Sequence, residues 1–226
     1  LDCLPILQKK DIPLTLQTYP LVTQKQENGI ICHHDVFTNN ILYADLVFFL
    51  PQLTAAELEL LPLLTFLLCQ IGTTKQDYKK LLHRQLACCG DIGAFLAAYP
   101  NIQDNNQCTP ALILHGKALY RHVPAFLALC QEIINETIFT NKERLLDLLQ
   151  QQYTLLQNSL SRQALQYAVN EALGNLNLAG QLSQKWQGLN FYYLIQKYTK
   201  APEKLDLLIE QLGSLKNKIL PGRQTD

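Results

Sequence analysis

Between residues 41 and 50 apolar side chains occupy both alternating sets of positions. Leu42, Ala44, Leu46, Phe48 and Leu50 form one set, and Ile41, Tyr43, Asp45, Val47 and Phe49 the other. Successive side chains of a strand point to opposite faces. The spacing therefore predicts a long strand with one wholly apolar face for helices. Its second face, apolar apart from Asp45, is not expected to be simply solvated. A short strand over residues 30–34, opened by Gly29, is predicted before it, with a turn at Thr38, Asn39 and Asn40. Thr54 and Glu57 read as a capping box for a helix that stops at Gly72, a good residue just past a helix end. A second helix is predicted over residues 77–89, ended by Gly90. Ile92, Ala94, Leu96 and Ala98 alternate along a strand that ends at Pro100. The polar loop of residues 101–107 then turns it back into a strand over 111–119, which makes a hairpin.

The rest of the chain reads as helix. Pro124 suits the first turn of a helix reaching residue 135. Thr140 and Glu143 read as a second capping box. Beyond it, Leu145, Leu149, Tyr153, Leu156 and Leu160 form one stripe, and helix is predicted to continue to Leu173 with Gly174 as the stop. Shorter helices are predicted over 177–186 and 191–198, around Gly188. Ala201, Pro202 and Glu203 open a last helix, ended by Leu220, Pro221 and Gly222. The hairpins imply antiparallel pairing. The predicted class is α+β, a mainly antiparallel sheet with helices packed on one face. The expected organisation is an extended lead-in over 1–28, an α+β domain over 29–200 and a C-terminal helix over 201–226.

Composition narrows the function classes. Nineteen basic and nineteen acidic residues give a net charge of zero, so no nucleic-acid partner is expected. The longest apolar run, residues 60–69, is interrupted by Pro62 and Thr65, so no membrane span is expected. The seven cysteines, Cys3, Cys32, Cys69, Cys88, Cys89, Cys108 and Cys130, are odd in number and irregular in spacing. They are expected to be mostly buried free thiols in a reducing compartment. The sequence has no methionine and begins at Leu1, so it is read as a fragment or processed product.

The five histidines offer little metal or catalytic spacing. His33 and His34 are strand neighbours that point to opposite faces, and His83 has Ala87 one helical turn on. His122 falls in a helix-start loop. Only His115 shares a face with other polar groups, Lys117 on its own strand and Asp45 if the two strands pair. No H-E-x-x-H or H-x-x-E-H occurs, so a zinc hydrolase site has no local ligand set. Cys88 and Cys89 sit at a helix C-terminus, where the dipole disfavours a thiolate. The glycine pair Gly90 and Gly93 reads as a turn between helix and strand. Trp186, Phe191, Tyr192, Tyr193 and Tyr198 read as a core seam between helices, with a contact surface for a peptide or another domain as the alternative.

Several segments carry a family resemblance. HHDVFTNNILYADLVFFLPQLTAAELELLPLLTFLLCQIGTTKQDY, CGDIGAFL, HGKALYRHVPAFLALCQEIINETIFTNKERLLDLL and NLNLAGQLSQKWQGLNFYYL together resemble the presequence-protease branch of the pitrilysin/insulysin zinc metallopeptidases. Cys88 and Cys89 replace the branch's usual Thr-Gly-Gly region. The resemblance implies four similar α+β domains in two halves that close around a chamber. It implies zinc, held by H-x-x-E-H in the first domain, with a zinc-activated water and the motif glutamate as general base. This chain is similar to the third domain, which lacks the metal site. It is expected to carry no catalytic residue and no metal, and to be inactive alone.

The expected function is a non-catalytic, chamber-forming domain of a zinc metallo-oligopeptidase that degrades unstructured peptides, in a bacterial cytoplasm or organelle matrix. Its expected partners are the other domains of the parent and the peptide. The candidate chamber-facing or interdomain residues are Tyr43, Asp45, Val47, Phe49, His115 and Lys117. A non-enzymatic scaffold or assembly subunit of the same fold is the second reading, and an independent thiol hydrolase the third.

Overall fold

The computed structural model describes residues 8–15, 18–27, 29–104, 106–174 and 176–220. Cys3, the start of the lead-in and the stop at Pro221 and Gly222 lie outside the described residues. The chain divides into two compact units, Leu1–Asn40 and Ile41–Asp226.

The first unit holds a hairpin. Strand β1 (Val22–Gln26), inside the sequence read as lead-in, pairs antiparallel with β2 (Gly29–His33), Val22 opposite His33. Every residue of both strands is exposed. His34 lies just past β2, its Nδ1 3.0 Å from the Pro20 carbonyl. Asn39 and Asn40 take left-handed φ of 53° and 59°, a conformation asparagine tolerates, and make the predicted turn.

The second unit is built on a three-stranded antiparallel sheet. Strand β3 (Ile41–Phe49) and strand β4 (Asp91–Pro100) both pair with the central β5 (Cys108–Leu119). Between β3 and β4 run α1 (Ala55–Leu68) and α2 (Tyr78–Cys88). Thr54 caps α1: its hydroxyl accepts from the Glu57 N–H at 3.3 Å, and Glu57 accepts from the Thr54 N–H at 2.7 Å. Asp77 caps α2. Leu60, Leu61, Leu63, Leu64, Leu67 and Leu68 bury α1 on nearly every side, as a helix apolar all round requires. It packs against β4 on one side and against later helices on the other.

Those later helices are α3 (Val123–Glu136), α4 (Lys142–Arg162), α5 (Ala164–Leu173), α6 (Leu178–Gln187), α7 (Leu189–Lys200) and α8 (Leu205–Ile219). They form an outer layer in which α6, α7 and α8 all touch α1. The fold is α+β, as the patterning predicts, and its core lies between one sheet face and the helices.

Several sequence expectations are corrected. The α4 cap is Asn141, which accepts from the Arg144 N–H at 3.0 Å, not Thr140. Helix does not run unbroken to Leu173: Gln163 (φ −120°, ψ 28°) ends α4 and begins α5. Gly93 belongs to β4 and not to a turn, because the strand starts at Asp91. Of the thiols described, Cys69 and Cys130 are buried, Cys88, Cys89 and Cys108 half-buried and Cys32 exposed. Burial of the thiols is thus partial. Trp186, Phe191 and Tyr198 are buried as a core seam, whereas Tyr193 is exposed.

Candidate functional site: the open face of the sheet

Strand register decides which side chains meet. In the β3–β5 ladder Tyr43 stands opposite Lys117, Asp45 opposite His115, Val47 opposite Ile113 and Phe49 opposite Ala111. In the β4–β5 ladder Asp91 faces Lys117, Gly93 faces His115, Phe95 faces Ile113, Ala97 faces Ala111 and Tyr99 faces Thr109. All of these lie on one side of the sheet by alternation. The other side carries Leu42, Ala44, Leu46, Phe48, Ile92, Ala94, Leu96 and Ala98, packed on the helix core.

Tyr43 (62% exposed), Val47 (44%), Phe49 (66%), Phe95 (43%) and Tyr99 (49%) stand in the open. Ile113 and Ala111 are buried among them as a flat apolar floor. Aromatic side chains normally bury large areas, so five exposed apolar residues around one floor form a patch, not scattered surface residues. Tyr43, Asp45, Val47, Phe49, His115 and Lys117, singled out from the sequence, are brought onto this one face. Phe95, Tyr99, Ile113 and Asp91 join them. The same alternation in β4 carries that signal, since Phe95 and Tyr99 are the odd positions beside Ile92, Ala94, Leu96 and Ala98.

One end of the face is polar. His115 Nε2 lies 3.6 Å from Asp91 Oδ2. Its ring meets Phe95 with centroids 5.4 Å apart. It lies over Gly93, where a Cβ would stand 3.0 Å from His115 Cε1; only glycine leaves the ring this room. His115 Nδ1 is buried without a hydrogen-bond partner.

Polar groups buried on the helix side serve packing. Glu132 on α3 accepts from Thr73 Oγ1 (2.7 Å), Gln76 Nε2 (2.7 Å) and Arg84 Nη1 (2.6 Å). Burial alone would push its carboxyl up, but the Arg84, Thr73 and Gln76 donors hold it below the usual carboxylate range. Lys216 on α8 donates to the carbonyls of Asn135 (3.0 Å) in the last turn of α3 and Thr137 (2.9 Å) just past it.

Cys69, Cys89 and Cys130 are poorly suited to nucleophilic chemistry. Cys88 Sγ and Cys89 Sγ lie 3.5 Å apart at the end of α2. Burial pushes the Cys69 thiol up to about 12 and Cys130 up to about 11. Burial, with the neighbouring Cys88, pushes Cys89 up to about 12. A thiolate nucleophile needs the opposite shift. Among the described residues, no group of three or more His, Cys, Asp or Glu side chains is placed to hold a metal ion. None of the described helices is long and apolar enough to cross a membrane.

Comparison with known proteins gives the context. Protein HypA of Clostridium perfringens is 25% identical over 205 residues, covering 90% of this chain and 21% of that protein. The mitochondrial presequence protease of Gibberella zeae is 27% identical, covering 98% of this chain and 23% of that protein. Presequence protease 1 of Arabidopsis thaliana, chloroplastic and mitochondrial, is 26% identical over 208 residues, covering 90% and 19%. The chain therefore spans about a fifth of the length of these relatives. The family described as peptidase M-16C associated matches residues 1–197 of the 226, and the chain belongs to that family.

Proposed function

We propose that this chain is a non-catalytic wall domain of a larger zinc peptidase, and that its open sheet face borders the space in which unstructured peptide is held. The observation that carries this reading is the exposure of Tyr43, Val47, Phe49, Phe95 and Tyr99 on one face while helices cover the other. A patch of this kind marks a surface that meets something apolar. A peptide lacking tertiary structure offers such groups without unfolding. The names of two of the relatives, presequence proteases, support a peptide as the occupant.

In this reading residues 29–200 form the domain, α8 packs onto it with Leu208, Leu212 and Leu215 in the same core, and the chain beyond α8 leads to the next domain. Zinc and the water it activates belong to another domain of the parent. The parent works in an organelle matrix or bacterial cytoplasm, a reducing setting that suits six cysteines described as free. The domain supplies confinement and contacts to its neighbours.

The test uses the parent protein with Val47→Glu and Phe49→Glu together. The expected result is a fall in kcat/KM for unstructured peptides with unchanged zinc content and melting temperature. Unchanged kcat/KM would remove the reading. The 226-residue chain alone is expected to hold no stoichiometric zinc and to cleave no peptide. One tightly bound zinc per chain would overturn its non-catalytic assignment. The scaffold reading separates cleanly, because it expects a parent with no peptidase activity at all.

A further inference from the structure

The two edges of the sheet differ in what lies beside them, and β4 has a pocket at its edge. Ladder phase shows which of its backbone groups are free. Asn101 N–H donates to Gln107 O at 2.9 Å, continuing the register in which Tyr99 faces Thr109 and Ala97 faces Ala111. Hydrogen-bonded pairs alternate along an antiparallel ladder. Odd-numbered residues of β4 therefore bond to β5, and the N–H and C=O of Ile92, Ala94, Leu96 and Ala98 point outward. No other strand among the described residues pairs with them.

This edge has little protection. Exposed edges are normally blunted by charge, proline or a bulge. From Ile92 to Tyr99 the sequence is IGAFLAAY, with no charge and no proline. The protective features sit outside that stretch: Pro100 at one end and, at the other, Gly90 N–H donating to Lys117 O at 2.8 Å, a bulge-like doubling before Asp91.

Beside the free edge, on the helix side, lies a pocket of about 370 Å³. Leu96, Ala98 and Pro100 form its sheet wall, and Leu173, Ser183 and Trp186 its helix wall. Trp186 is buried and its indole N–H has no partner. The stereochemistry of strand addition connects edge and pocket. A peptide residue hydrogen-bonded to Leu96 or Ala98 puts its side chain on the same sheet side as theirs, into this pocket. Its neighbours in sequence fall on the open face, beside Phe95 and Tyr99.

We propose that the β4 edge binds an extended peptide as a fourth strand, with one large apolar side chain seated in the pocket lined by Leu96, Ala98 and Trp186. Main-chain bonds would supply affinity and the pocket selectivity. A second copy of the chain fits less well, since its own β4 offers that side nothing larger than Ile92 and Leu96. The inference rests on the reading that the parent handles peptides, but names a different site from the open face near β3.

The probe is a fluorescent nine-residue peptide of alternating threonine and valine, with phenylalanine at the centre of the threonine set and a lysine at each end. Binding to the 226-residue chain is followed by anisotropy. N-methylation of the amides on the phenylalanine side is expected to weaken binding on the order of tenfold or more. N-methylation on the valine side leaves it unchanged, because those amides point away from β4. Replacing the phenylalanine by alanine, or filling the pocket with Ser183→Trp, is expected to weaken it similarly. Ala98→Pro removes an outward N–H without touching the β5 ladder, and circular dichroism checks its fold. The methylated peptides leave the protein itself unaltered, so the test survives a misfolded variant. Equal effects of the two methylation patterns, or no binding at about 1 mM peptide, would overturn the proposal. A dimer in sedimentation that Ala98→Pro dissociates would overturn it too, by showing the edge self-paired. Loss of parent activity in Val47→Glu with full activity in Ala98→Pro and Ser183→Trp would remove this site and leave the wall reading intact.

Discussion

The two faces of one sheet behave oppositely although the same strands make both. On the helix face Leu42, Leu46, Phe48, Leu112 and Leu114 enter a continuous core with α1. On the open face Tyr43, Val47, Phe49 and Phe95 are at least two-fifths exposed. Large apolar side chains occur on both sides, although only the open face also carries Asp45, Asp91, His115 and Lys117, so apolar character alone does not decide burial. The supply of covering elements does: α1 packs on the inner side, whereas Tyr43, Val47, Phe49, Phe95 and Tyr99 stay exposed on the outer one. An apolar residue can thus carry stability on one side of a strand and remain available for binding one position along.

The largest test of that contrast is Leu61→Ala or Leu112→Ala, both fully buried. Either is expected to cost about 2–5 kcal/mol, from lost transfer energy and the cavity left behind, read by chemical denaturation. Next comes Glu132→Ala, which leaves the Arg84, Thr73 and Gln76 donors without their acceptor. With Arg84 itself partly exposed, a loss of about 1–3 kcal/mol is expected. The folded carboxyl of Glu132 is held below its ordinary value. Its contribution is therefore present above that ordinary value and is lost as pH falls through the lower folded one. Wild type is expected to lose more stability than Glu132→Gln between about pH 5 and acid unfolding. Thr54→Ala removes the α1 cap and is expected to cost about 1 kcal/mol. Val47→Lys on the open face is expected to change stability by less than about 0.5 kcal/mol. A loss near about 2 kcal/mol there would mean that the outer face is part of the fold's own core.

Both faces of β3 are legible in sequence because one alternating set, Leu42, Ala44, Leu46 and Phe48, is wholly apolar while Asp45 marks the other. In β4 the alanines at 94, 97 and 98 flatten the contrast between the two sets, and so Phe95 and Tyr99 escape notice. Register is not legible in sequence, because pairing Asp45 with His115 depends on contacts far apart along the chain. The α4 cap is missed for a local reason. Thr140 and Asn141 are adjacent good caps, and only backbone geometry chooses Asn141. The break at Gln163 has no glycine or proline to announce it. The candidate face is readable as far as Tyr43, Asp45, Val47, Phe49, His115 and Lys117. Its exposure is not, since that depends on where the helices stop.

Lys216 bears on how the chain is made. Its ammonium is held by the Asn135 and Thr137 carbonyls, some eighty residues earlier. Until that lysine has been synthesised, those two carbonyls lack its charge. A nascent chain ending short of residue 216 therefore lacks this donor at the exit of α3, where only bonds such as Thr74 N–H to the Glu136 carbonyl and Thr137 Oγ1 to the Ile133 carbonyl are already available. The native arrangement is completed from the carboxyl-terminal side, and a shortened translation product lacking α8 would differ from the finished protein at a point far from its own missing end.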